Sequence, residues 1–168
     1  MTKCVVVIDV QSGFKSLCDD GYIYKMNMAL KEYVGRGYSF LYTIDKHEDS
    51  CDFRYTQEYK QYGLHCICDE DLIPLLDMCA KQPDSAIYKD SFTSLYLPSM
   101  LTSYEEIVIF GIASEVCVVC NALNLRACFP ELPMYVREDL CRGFTQEGHD
   151  SAMNVMRACS INVVNPVN

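Results

Sequence analysis

Apolar and polar positions along this chain fall into blocks that alternate between two periodicities. Cys4-Val-Val-Val-Ile8 is a continuous apolar run closed by Asp9, and Tyr38 to Ile44 is a second run closed by Asp45. Ala86-Ile-Tyr-Lys89 is shorter, and Ile107 to Phe110 is a fourth run, broken by Gly111. Uninterrupted runs rich in β-branched residues predict strands buried on both faces of a parallel sheet. Pro133 to Val136 and Ser160 to Val164 predict two more. Helical spacing runs from Tyr22 to Val34 and stops at Gly35-Arg-Gly37. Further helices are predicted over Leu72 to Ala80, Ser94 to Ser103 and Thr145 to Ala158, and Ser114 is placed to cap another running through Leu125. Lys46 to Asp71 is polar, rich in Tyr, Asp and Glu, and predicts no regular element. Strand and helix alternate without repeat or linker. The expectation is one α/β domain over residues 1–168, a three-layer α/β/α sandwich with a mainly parallel sheet.

Composition narrows the classes. At 168 residues and 50% hydrophobic, the chain can bury a sizeable core. No apolar run approaches the roughly 20 residues of a membrane span, and no signal-peptide pattern opens the sequence. A soluble, cytoplasmic protein is expected. The formal net charge of −9, with no Lys/Arg cluster, argues against a nucleic-acid or anionic-membrane partner. Eleven cysteines would suit a disulfide scaffold only in a short chain poor in core, so mostly free, buried thiols are expected.

The chemically capable residues collect on one edge of this plan. Asp9, Asp45, Lys89 and Cys117 each fall at or just beyond the C-terminal end of a strand, where open α/β sheets place their binding crevice. Cys117 falls in the first turn of a helix, where orphan N–H groups and the macrodipole favour thiolate. The alternative is a small buried hydrophobe. A Cys–Asp–Lys group is chemically coherent: the carboxylate takes the thiol proton, and the ammonium stabilises both anions. Asp45-Lys-His47 presents two side chains on one side of an extended segment. With His65 they suit a divalent metal, or are ordinary surface residues. Cys66-Ile-Cys68 lacks the second pair of a zinc site. Cys117-Val-Val-Cys120 matches C-x-x-C but has valines where a redox pair has turn-forming spacers. His149 is expected at the surface.

Together these residues resemble the isochorismatase-like cysteine hydrolases, and within them the nicotinamidases. Val7-Ile-Asp9-Val-Gln11-Ser-Gly-Phe14 is similar to the family's opening motif, Tyr88-Lys89-Asp-Ser-Phe92 to its lysine motif, and Gly111-Ile-Ala-Ser-Glu-Val-Cys117-Val to its nucleophile motif. The resemblance spans nearly the whole chain and implies a Rossmann-like fold. It implies Asp9, Lys89 and Cys117 as catalytic residues, with an oxyanion hole from the N–H groups of Ala113 and Cys117 and a cis peptide at Ile112–Ala113. Thr43-Ile-Asp45-Lys-His47-Glu and Tyr62-Gly-Leu-His65 resemble the nicotinamidase metal segments, and Glu58 stands seven residues before the last His. Asp45, His47, Glu58 and His65 are thereby implied to bind one divalent ion, Zn first, with Fe or Mn as alternatives. Phe14 and Tyr62 are implied to flank the substrate.

The function expected on this basis is release of ammonia from nicotinamide, a small neutral amide, through a thioester. The alternatives are a metal-independent family member acting on another small amide or an enol ether, and a non-catalytic binding module retaining the fold. A homo-oligomer is left open.

Overall fold

The computed structural model describes residues 2–77 and 85–165. The first strand, β1 (Lys3–Ile8), is followed by a short 3₁₀ turn and helix α1 (Asp20–Gly35), then β2 (Ser39–Asp45). Two short helices, α2 (Cys51–Arg54) and α3 (Gln57–Tyr62), precede β3 (Ala86–Lys89), α4 (Leu97–Met100) and β4 (Glu106–Ile112). A wide π turn over Ser114–Val118 leads into α5 (Val119–Cys128), then β5 (Met134–Arg142), α6 (Gln146–Ala158) and β6 (Asn162–Val164). The strands form one six-stranded sheet in the order β3-β2-β1-β4-β5-β6. Every strand pair is parallel.

The two central strands are the two most apolar runs. Val5 to Ile8 of β1 and Ile107 to Ile112 of β4 are buried throughout, in register from Lys3 opposite Glu106 to Ile8 opposite Gly111. The chain steps from β1 outward to β2 and β3, then crosses back to β4 and continues to β5 and β6. Right-handed crossovers put the helices of these two runs on opposite faces. The C-terminal ends of β1 and β4 therefore diverge at a topological switch point, the natural position for a crevice.

Helix α1 starts where Asp19 accepts a hydrogen bond from Tyr22 N at 2.8 Å. It buries Tyr22, Met26, Ala29, Leu30 and Tyr33, one stripe at helical spacing. Gly37, at φ 78°, turns the chain back toward β2.

Several boundaries differ from expectation for identifiable reasons. The helix expected over Leu72 to Ala80 does not form over 73–76. Ser12 N donates to Ile73 O at 2.9 Å and Leu75 N to Val10 O at 3.1 Å, drawing this stretch into pairing with the segment after β1. Its residues 78–80 lie outside the described residues. The helix expected from Ser94 contracts to Leu97–Met100, because Pro98 has no N–H to donate to Ser94 O, which accepts from Asn124 Nδ2 at 3.3 Å instead. The irregular stretch contains α2 and α3, capped by Ser50 and Thr56. β5 is longer than expected, running to Arg142, with a register shift between Ile109 and Gly111 on its neighbour. Ser114 is not a cap: Ala113 occupies that position and no side chain caps the turn.

Gly111 is required by close approach. Its φ is 138°, and a Cβ there would strike the carbonyl oxygen of Ile8 and lie 2.7 Å from Ile8 N. Gly35 has nothing within 4 Å of such an atom. Gly111→Ala is expected to cost about 3 kcal/mol or more through strain and overpacking. That corresponds to a Tm drop of about 6–12 °C for a chain of this size. Gly35→Ala is expected to be neutral or to stabilise by up to about 1 kcal/mol through the unfolded state. Paired thermal melts check this, and equal Tm values for the two variants would contradict it.

Candidate active site and metal cluster

Asp9, the residue after β1, turns out of the sheet with φ 49°. Its Oδ1 accepts a hydrogen bond from Thr43 Oγ1 at 2.5 Å, and its own N–H donates to the same hydroxyl at 3.1 Å. Thr43 is a fully buried hydroxyl in β2, and this is its use. Lys89 ends β3 directly opposite Asp45 in the sheet register. The Lys89 Nζ lies 2.8 Å from Asp9 Oδ2, 2.7 Å from Asp45 Oδ1 and 2.9 Å from Ser91 O. It also contacts the Cys117 Sγ at 3.6 Å. Three strand ends and the turn after a fourth thus meet at one buried ammonium.

Burial works against charge on Lys89, but the surrounding Asp9, Cys117 and Asp45 overcome it and hold its pKa well above lysine's usual value. Burial raises the Asp9 carboxyl, as does the Asp45 charge, while Lys89 opposes both. Cys117, 6% exposed, is pushed well above the usual thiol range by burial first and by the Asp9 charge second. The thiolate expected from the helix terminus is therefore not the resting state: desolvation outweighs the dipole. The thiol thus stands beside a carboxylate placed to accept its proton. Asp9 Oδ2 is buried against the Lys89 ammonium, and its remaining lone pair can still take a proton.

Gln11 supports this arrangement. Its side-chain amide donates to Asp45 O at 2.9 Å and its Oε1 accepts from Asp45 N at 2.7 Å. That two-bond clamp fixes the end of β2 against the segment after β1. Asn121, one turn beyond Cys117, donates to Cys117 O at 2.8 Å and to Phe92 O at 3.1 Å. Asn121 escaped the sequence reading, though a polar residue four positions from the nucleophile on an apolar helix face was an available signal.

The second oxygen of Asp45 belongs to another group. His47 Nε2 lies 3.2 Å from Asp45 Oδ2 and 3.4 Å from Glu58 Oε1, and His65 Nε2 lies 3.5 Å from each. The four donor atoms lie within 4.8 Å of one another. An ion with ligand bonds of about 2.0–2.2 Å in tetrahedral geometry separates its donors by about 3.3–3.6 Å. The residues present fit such an ion. Local structure aims them: His47 stacks on Phe53 at 4.1 Å, and His65 Nδ1 meets Gly63 O at 2.9 Å, which leaves Nε2 free to ligate. Burial opposes charge on His47, but Asp45 and Glu58 raise its pKa to about 9. Hydrogen bonding to Asp45 and Glu58 raises that of His65 to about 10. The cluster favours positive charge at its centre.

A cavity of about 190 Å³ opens onto both groups. Cys117, Ala113, Asp45, Glu58 and His65 line its floor, and Phe14, Tyr62, Phe92, Phe144 and Val116 its walls. Tyr62 and Glu58 stand one turn apart on α3, so one short helix supplies a wall and a ligand candidate. The Tyr62 ring stacks on Phe144 at 5.9 Å and meets Phe92 edge-on at 6.0 Å. Phe92 and Phe144 add to the flanking pair expected from sequence. No Lys or Arg lines this pocket. Lys46 sits over the Tyr88 ring and Arg54 pairs with Asp49. A wider groove of about 580 Å³ runs outside His47 and Lys89, but Cys117 does not line it.

The remaining expectations resolve as follows. The Ile112–Ala113 peptide is cis. The ten described cysteines are free, but only five are buried. His149, expected at the surface, is half-buried, and its Nδ1 lies 2.8 Å from the hydroxyl of fully buried Ser114. That contact packs the nucleophile turn against α6. No helix among the described residues is long and apolar enough to cross a membrane.

Comparison with known proteins agrees with this architecture. Zinc-bound pyrazinamidase of Pyrococcus horikoshii superposes with a TM-score of 0.80 at 20% identity, covering 99% of this chain and 100% of that one. Pyrazinamidase/nicotinamidase of Streptococcus mutans gives 0.78 at 19%, covering 97% and 100%. Nicotinamidase/pyrazinamidase of Bacillus subtilis gives 0.77 at 16%, covering 98% and 100%. At these identities the likeness is one of fold. No curated protein matches the sequence significantly. The Isochorismatase domain family matches residues 3–165, nearly the whole chain, and the protein belongs to the isochorismatase family.

Proposed function

We propose that the protein is a cysteine amidohydrolase that releases ammonia from nicotinamide. The observation that carries this reading is the meeting of Asp9 and Lys89 at Cys117, whose side chain lines a small aromatic pocket beside a four-residue metal-ligand cluster. The cavity is below the usual several hundred Å³ of ligand pockets, which suits a single small ring. Aromatic walls suit a flat ring. Two carboxylates and no Lys or Arg along the lining disfavour an anionic substrate such as isochorismate, and support a neutral one. The zinc-bound Pyrococcus relative supports zinc as the ion.

In this reaction Asp9 takes the Cys117 proton as the sulfur attacks the amide carbon. The N–H groups of Ala113 and Cys117 stabilise the oxyanion. Asp9 returns the proton to the leaving nitrogen, ammonia departs and a thioester remains on Cys117. Asp9 then deprotonates a water that attacks the thioester, releasing nicotinic acid and restoring the thiol. Lys89 offsets the negative charge that passes between Asp9 and Cys117. A divalent ion held by Asp45, His47, Glu58 and His65 would supply a Lewis-acidic position for the pyridine nitrogen.

Ammonia-release kinetics test the proposal. Cys117→Ala is expected to lower turnover by at least about a thousandfold with the fold intact. Cys120→Ala should stay within about threefold of the parent protein, any loss being a packing defect. Equal loss in both variants would favour a redox pair and sink the hydrolase reading.

The metal cluster carries its own expectation. Adding zinc to chelator-treated protein should raise Tm with one ion bound per chain. Glu58→Ala should weaken ion retention by about tenfold or more, and raise KM for nicotinamide more than it lowers kcat. Full activity in metal-free protein, or in a variant lacking both His47 and His65, would remove the ion from the account.

A further inference from the structure

Glu115 lies two residues before the nucleophile and does not line the pocket. Its carboxylate reaches instead to the segment between β5 and α6. Oε1 accepts the N–H of Phe144 at 2.8 Å and that of Thr145 at 3.2 Å. Thr145 is the N-cap of α6, so the carboxylate also sits at the positive end of a helix. Two glycines make room for it: a Cβ on Gly143 would lie 2.5 Å from Oε2, and one on Gly148 2.5 Å from Oε1. Oε2 is buried with no hydrogen-bond partner. A carboxylate packed this tightly, with one oxygen left unpaired, is costly to keep for local stability alone.

Phe144 supplies the reason. Its side chain forms part of the pocket wall and stacks on Tyr62, yet it is 47% exposed. Apolar burial does little to hold a ring so open to solvent. Its backbone is held by Glu115, and Glu115 rides on the same turn as Cys117. The second link between these segments, Ser114 to His149 at 2.8 Å, fixes the turn to α6 from its other side.

We propose that Glu115 is a positioning residue that sets the width of the substrate pocket: it anchors Phe144 as a wall and ties that wall to the nucleophile turn. This rests on the reading of the pocket as the nicotinamide site. Acting through Phe144, Glu115 governs how firmly the ring is clamped and leaves the Asp9–Lys89–Cys117 chemistry alone.

Steady-state kinetics on nicotinamide and backbone amide exchange test it together. Glu115→Ala is expected to raise KM by about tenfold with kcat within about threefold, and Phe144→Ala to do the same. Glu115→Gln keeps an acceptor oxygen for both N–H groups and should restore KM to within about threefold of the parent protein. The double variant Glu115→Ala/Phe144→Ala should be no worse than Phe144→Ala alone, the signature of one residue acting through the other. Multiplying effects, or a fall in kcat at unchanged KM, would overturn the proposal. Exchange at the Phe144 and Thr145 amides needs no substrate: it should quicken by about tenfold or more in Glu115→Ala and stay slow in Glu115→Gln. Unchanged exchange in Glu115→Ala defeats the anchor even if the parent protein turns nicotinamide over. Parent protein inactive on nicotinamide defeats the substrate reading while exchange still decides the anchor. If Glu115→Ala fails to fold, Phe144→Ala and Glu115→Gln carry the test, and a large KM rise in Glu115→Gln with slow exchange overturns it.

Discussion

A single ammonium, that of Lys89, is the group on which the site's geometry depends. It is buried among Asp9, Asp45 and the Cys117 sulfur, and its two ion pairs are 2.8 and 2.7 Å long. Carboxylates this deep in a fold are tolerated only when paired, and removing one partner of a buried pair typically costs about 3–5 kcal/mol. Here one cation serves two carboxylates from two different strands. The short edge strand β3 places it by pairing Lys89 with Asp45 in strict parallel register, so a one-residue slip would turn the ammonium out of the site. The demands of charge and of sheet register coincide, which is why three strand ends can converge on a point with little tolerance.

Asp45 extends this constraint. One of its oxygens faces Lys89 and the other faces His47 and His65, so the same carboxylate borders the nucleophile and the metal-ligand cluster. Its pKa, despite burial, is held well below the usual range by hydrogen bonds from both histidines and by Lys89. The Gln11 clamp on its backbone fixes where that carboxylate can point. The pocket wall is arranged on the same logic. Asn121 ties the Cys117 turn to the segment carrying Phe92, and Glu115 ties it to the segment carrying Phe144. The nucleophile turn is thereby the hub from which both the chemistry and the shape of the pocket are set.

The strands were legible because long β-branched runs have one reading in a chain of this kind, and the carboxylate or lysine that ends each run marks the edge where function gathers. Asp9, Asp45, Lys89 and Cys117 could be placed together from that pattern alone. The position of Glu58 could not: α3 is six residues long, held by the Thr56 cap, and its orientation comes from packing rather than periodicity. Phe144 was equally hidden, since nothing in Gly143-Phe144-Thr145 announces a pocket wall until the Glu115 carboxylate is seen between the two backbones. Residues 73–76 misled because apolar spacing there resembles a helix, while Pro74 and pairing with the segment after β1 decide otherwise. Helix-terminus electrostatics misled at Cys117, where burial outweighs the dipole.

The central claim is that Cys117, assisted by Asp9 and Lys89, carries the acyl group of a small amide. Millisecond acid quench during turnover of nicotinamide, followed by mass mapping of the cysteine peptides, measures it directly. The account predicts a nicotinoyl thioester on the peptide bearing Cys117 and on no other cysteine. Steady ammonia release with Cys117 unmodified throughout, or an acyl group on Cys120 instead, would contradict it.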